Sequence, residues 1–120
     1  MLKAWRDLES AKLLAAAPTP LTDTAVYHTQ QCAEKALKAY LAWQGKELEK
    51  THDLKTLLKL CAKLDHSFNG LVGAANFINP FATMFRYPGN ELFPDCETVD
   101  EAMQAAEKIY NFVVEKTAYA

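Results

Sequence analysis

Glycine and proline are scarce, at four and five in 120 residues. A fold of many short strands needs more turn residues than this, and a collagen-like or linker chain needs a far larger share of both, so neither is expected. Cysteine is sparse as well. Cys32, Cys61 and Cys96 are odd in number, widely separated and without a CxxC pair. That excludes a disulfide framework and a zinc knuckle and leaves free thiols packed as small apolar groups. No apolar run approaches the roughly 18–20 residues that a membrane-spanning helix needs, so no membrane association is expected. The first residues, MLKAWRDLESAK, place charges where an export signal needs an apolar core. Together with the thiols, this points to the cytoplasm. Arginine is nearly missing too: Arg6 and Arg86 are the only two.

What is present is a globular composition, 50% hydrophobic and 23% charged, of a length suited to one domain across 1–120. The formal charge of −2 is unevenly spread. Residues 1–34 carry three bases and four acids, residues 35–63 seven lysines and three acids, and residues 64–120 three bases and eight acids. An acidic chain with one basic segment is not built for avid, non-specific binding to duplex nucleic acid. It leaves room for a localised anion site or an acidic partner.

Hydrophobic spacing predicts helices throughout. The first covers 2–16, with Trp5, Leu8 and Ala15 on one side, and ends before Pro18 and Pro20. The second covers 23–44, with Thr22 as cap, Leu21 and Val26 as a staple, and Gly45 as the stop. Its apolar arc holds Val26, Ala33, Ala36, Leu37, Tyr40 and Leu41. Thr51 is placed to cap a third over 52–64, whose buried stripe is Leu54, Leu57, Leu58, Cys61 and Leu64, with Lys55, Lys59 and Lys63 on another face. Residues 70–85 are apolar and interrupted by Pro80, which predicts a kinked helix or two short ones, followed by a turn at Arg86-Tyr87-Pro88-Gly89-Asn90. Thr98 with Glu101 reads as a capping box for a last helix over 98–118. Four or five amphipathic helices with short connections make an all-α, up-and-down bundle.

Polar chemistry concentrates in YHTQQCAEKALKAYLAWQG, residues 27–45. On a helical wheel Gln30 falls inside the apolar arc and Glu34 at its edge, while Gln31, Lys35 and Lys38 fill the polar side next door. A buried amide left unpaired costs roughly 1–3 kcal/mol. Gln30 therefore either bonds a neighbouring helix or opens on a cleft. Arg86, at the end of an apolar segment, has a permanently charged fork suited to phosphate or carboxylate. The competing reading is an ion pair with an acid of the last third. His28 and Cys32 are four apart but find no second half of a metal site, so no metal is expected. No Ser/His/Asp arrangement and no glycine-rich phosphate loop is present, and no cofactor is expected.

These residues resemble the HEPN domains. The likeness runs from Trp5 and Asp7-Leu8 through QQCAEKALKAYL and His52-Asp53-Leu54 to Arg86-Tyr87-Pro88 and the Ala-rich last helix. The resemblance implies an up-and-down bundle like the substrate-binding subunit of a nucleotidyltransferase. It also implies a homodimer, and a minimal nucleotidyltransferase as partner in a toxin–antitoxin-like module. Many members are metal-independent ribonucleases in which an Arg is followed, after four to six residues, by a His. Here the positions after Arg86 hold Glu91, Leu92 and Phe93, and those after Arg6 hold Ala11, Lys12 and Leu13. The usual acid–base imidazole is missing. The expectation is a non-catalytic module binding nucleotide or RNA through Gln30, Gln31, Glu34, Lys35, Lys38, His52, Arg86 and Tyr87. The alternatives are a ribonuclease that pairs Arg86 with a different histidine, such as His28 or His52, and a scaffold with no ligand.

Overall fold

The computed structural model describes residues 1–47, 50–89 and 92–117. Among them are five α-helices and two 3-10 segments, and no strand. Helix α1 is Leu2–Ala16, α2 Thr22–Trp43, α3 Leu54–Leu64, α4 Val72–Ile78 and α5 Cys96–Thr117. The 3-10 segments, His66–Leu71 and Asn79–Ala82, flank α4.

Helix α2 is the hub, because its apolar arc is wide enough to serve α1, α3 and α5 together. Its residues Ala25, Val26, Ala33, Ala36 and Leu37 are fully buried, and Tyr40 and Leu41 nearly so. Small side chains on this arc let the neighbouring helices come close. Ala102, Ala106, Ile109 and Val113 of α5 complete the core from the far side. Phe68, from the first 3-10 segment, fills the end between Tyr40, at 4.4 Å, and Phe112, at 4.9 Å between ring centroids. Gly45, at φ 77°, ends α2 with its N–H on the Ala42 carbonyl, a conformation that costs an L side chain strain.

Several local expectations are corrected. In α1 the buried residues are Ala4, Asp7, Leu8 and Ala11, and Trp5 is 44% exposed. The inward stripe alternates Ala4 and Ala11 with Leu8 and the paired Asp7, and Trp5 falls outside it. Helix α2 takes Thr22 inside its first turn, its cap is Leu21 without a side-chain bond, and Leu21 is exposed. Asp53, not Thr51, caps α3, its carboxylate accepting from the Lys55 N–H. Thr51 instead accepts the Asp53 N–H at 3.1 Å. Leu64 faces outward at the helix end. Helix α5 starts before Thr98: the Asp95 carboxylate accepts the Thr98 N–H at 2.7 Å, so Asp95 holds the first turn and Thr98 lies within it. The kinked helix over 70–85 is three short pieces, of which only Val72–Ile78 is α-helical. Asn90, Glu91 and Ala118, which fall in the expected turn, at the motif position and at the expected helix end, lie outside the described residues.

One tether sets where the chain goes after α4. Asn79 Oδ1 accepts the Leu54 N–H at 2.8 Å, and its Nδ2 donates to Asp53 Oδ1 at 2.8 Å. The start of α3 and the end of α4 are thereby pinned together, and the chain that follows is delivered to the N-terminal half of α2.

Candidate functional site

The exposed face of α2 is bounded by two buried carboxylates. Asp7, on α1, is only 7% exposed although it is an acid on a packed helix. Both its oxygens are engaged: Oδ1 lies 2.8 Å from His28 Nδ1, and Oδ2 accepts from Lys35 Nζ at 2.6 Å. A carboxylate acceptor fixes the proton of the imidazole on Nδ1 and leaves Nε2 as the free nitrogen. Glu34, on the other flank of α2, is equally enclosed. It meets His52 Nδ1 at 3.0 Å and Lys38 Nζ at 3.1 Å, and accepts weakly from Gln30 Nε2 at 3.4 Å. The two acids are thus neutralised in place, as burial of charge requires.

Gln30 is fully buried and its amide is satisfied. Nε2 donates to the His52 carbonyl at 3.0 Å, and Oε1 accepts from Gln31 Nε2 at 2.8 Å. Gln30 and Glu34 sit beneath the face rather than on it. They hold the strap before α3 and so position His52, whose side chain is 74% exposed. Gln31, Lys35 and Lys38 are half-buried along the ridge above them.

Arg86 reaches the same ridge. Its guanidinium carbon lies 4.0 Å from the centroid of the Tyr27 ring, a cation–π stack. Tyr27 is one helical turn before Gln30 and Gln31, and its ring meets His28 edge-on at 5.5 Å. Among the described residues no carboxylate pairs with Arg86. Stacking leaves the edge of the fork available to an anion. Tyr87 follows it, 67% exposed. Arg86 is thus placed on Tyr27 near the start of α2, with Gln31, Lys35 and Lys38 further along the same helix, while Gln30 and Glu34 lie enclosed beneath them and hold His52.

Two of the three cysteines are chemically quiet, Cys96 being exposed. Burial, with Asp7 nearby, pushes the Cys32 thiol up to about 12, and burial pushes Cys61 to about 12. Among the described residues no group of three or more His, Cys, Asp or Glu is gathered as a metal would need. No described helix is long and apolar enough to cross a membrane.

Comparison with known proteins follows the same outline. The family model for the HEPN domain matches residues 1–117. The chain belongs to the HEPN domain family. The crystal structure of ST0689, an archaeal HEPN homologue, superposes with a TM-score of 0.75 at 26% identity, covering 97% of this chain and 93% of that one. No curated protein gives a significant match.

Within this HEPN bundle, Asp7 and Tyr27, absent from the sequence-derived set, shape the site, together with His28, which was named only for the ribonuclease alternative. Asp7 carried a signal, since it stands between Ala4, Leu8 and Ala11 on the inward side of its helix. Tyr27 carried none beyond its place in the polar segment 27–45, because its partner comes from the segment after α4.

Proposed function

We propose that this HEPN domain is a binding module for the phosphate of a nucleotide or RNA, acting in the cytoplasm as a homodimer and as the accessory of a nucleotidyltransferase in a toxin–antitoxin-like pair. The observation that carries the phosphate reading is Arg86: a guanidinium stacked on Tyr27, unpaired with any described acid, at the head of a ridge bearing Gln31, Lys35 and Lys38. A planar fork oriented by an aromatic face is suited to phosphate oxygens. Lys35 and Lys38 are each balanced by a buried acid beneath them, so the unpaired charge at this site is that of Arg86. The partner and the dimer rest on the family resemblance and are part of the proposal.

The test is a thermal shift with uridine monophosphate and with inorganic phosphate. Ligand should raise the midpoint of the wild-type protein by mass action and leave Arg86→Ala unmoved. An equal shift in both proteins rules out the Arg86 site. Co-expression with a minimal nucleotidyltransferase should yield a complex on gel filtration, and separate elution at micromolar concentration rules out the partnership.

A second reading is favoured by the Asp7–His28 pair. With Nδ1–H held by Asp7, His28 Nε2 could take the proton of a ribose 2′-OH. The 2′-oxygen would attack the adjacent phosphorus, a 2′,3′-cyclic phosphate would form, and the 5′-oxygen would leave with a proton from water. Arg86 would offset the charge on the phosphoryl oxygens. This reading predicts RNA cleavage that survives EDTA and is lost in His28→Ala. Equal cleavage by both proteins, or none by either, removes it.

A further inference from the structure

A second cationic patch borders the ridge on its other side. Lys3 and Arg6 share one side of α1 and, with Asp7, Ser10 and Lys35, line a groove of about 310 Å³ along the seam between α1 and α2. Both are exposed, and neither pairs with an acid among the described residues. Asp7 does not spoil the groove for an anion, because both its oxygens are committed to His28 and Lys35. Ser10 is no donor to a ligand, since its hydroxyl already donates to the Arg6 carbonyl at 2.8 Å. What faces the solvent there is the unpaired charge of Lys3 and Arg6, beside a Lys35 whose charge is already offset by Asp7.

We propose that this groove is a second anion subsite, in which Lys3, Arg6 and Lys35 take a phosphodiester of the same ligand that Arg86 grips. The inference rests on the Arg86 reading and decides the ligand's size. Tyr27, where Arg86 stacks, and Lys35 are eight residues apart on α2, about 12 Å along the axis. The phosphate chain of a single nucleotide is too short to touch both ends, whereas a strand of a few nucleotides covers the distance. Tyr87, exposed beside Arg86, offers a ring on which a base of that strand stacks. The ligand is accordingly a single-stranded oligonucleotide lying along α2 and crossing onto α1.

The experiment uses fluorescence anisotropy with a labelled oligouridylate of roughly eight nucleotides and its deoxy counterpart, and chemical-shift titration with uridine monophosphate. Three variants are compared with wild type: the Lys3→Glu/Arg6→Glu double variant, Arg86→Ala, and Lys59→Glu as a control on the exposed face of α3. Circular dichroism confirms that each is folded. The α1 double variant should bind the strand at least about tenfold more weakly, with a shallower salt dependence, and bind the mononucleotide as wild type does. Arg86→Ala should weaken both ligands. The tighter of the two strands identifies RNA or DNA as the source, and only RNA presents a 2′-OH. Strand binding by the α1 variant equal to that of Lys59→Glu overturns the subsite while leaving the Arg86 reading intact. Unchanged mononucleotide binding by Arg86→Ala overturns the Arg86 reading itself. Failure of wild type to bind any strand overturns the subsite outright.

Discussion

At the scale of single residues, the two enclosed acids divide the polar side of α2 between them. Asp7 is the more exacting. Converting it to Asn keeps the shape, removes the charge, and leaves Lys35 without a counter-ion and His28 without its carboxylate acceptor, so Asp7→Asn should cost about 1–3 kcal/mol in urea unfolding. The thiols offer an independent check of burial. Cys96 is exposed while Cys32 and Cys61 are enclosed and pushed up to about 12. One thiol should therefore react rapidly with a disulfide reagent at neutral pH, and all three only in denaturant. Gln30 was legible from the sequence as an amide in need of partners, and it has them. Its partners, a backbone carbonyl before α3 and the neighbouring Gln31, were not legible, because a helical wheel gives a direction but not what lies there.

At the scale of elements, the buried side of α2 and most of that of α3 were readable, whereas the inward side of α1 and the first turns were not. Periodicity reports which side is buried, and Val26, Ala33, Ala36, Leu37, Tyr40 and Leu41 of α2 are all enclosed as their spacing predicts. Caps depend on one or two dihedral angles, and a Thr and an Asp three positions apart compete for the role. The competition at α5 is measurable. Asp95→Ala should lower the urea midpoint, and Thr98→Ala should lower it by distinctly less. An equal loss in both would restore the capping box expected from the sequence. The tether at Asn79 is the other element-level device. Asn79→Ala strips a partner from the Leu54 N–H and from Asp53 together, and should cost about 1–2 kcal/mol. Its visible symptom should be a changed signal from Tyr27, because the segment carrying Arg86 begins there. Nothing in the sequence marked Asn79 as joining two helices, since both bonds reach back some 25 residues.

For the whole molecule, the response to acid follows from carboxylates that are better held when folded. The Ser67 hydroxyl, with Lys116 and the Ser67 amide, holds the Asp65 carboxyl down to about 2. Thr56 and Asn79 lower Asp53, and the Thr98 amide lowers Asp95. A lowered pKa favours the folded state above the unfolded value of roughly 3.9, and that contribution disappears as pH falls through the folded value. The urea midpoint should hold from neutral pH to about 4 and then drop towards about 2, with a weaker dependence in Asp65→Asn. Lys116 belongs to α5 and Asp65 follows α3, so the same pair also closes the bundle at one end, 2.9 Å across.

The breaking of residues 66–82 into short pieces has a kinetic side. A seven-residue helix between two 3-10 segments has few amides deep in a ladder, so its protons should exchange with deuterium well before those of α2 and α5. The guanidinium that heads the ridge follows directly on this weakly laddered stretch, while the Tyr27 ring it stacks on belongs to the long helix α2. A ligand that bridges the two would announce itself as slowed exchange over 72–82 with no change in the long helices.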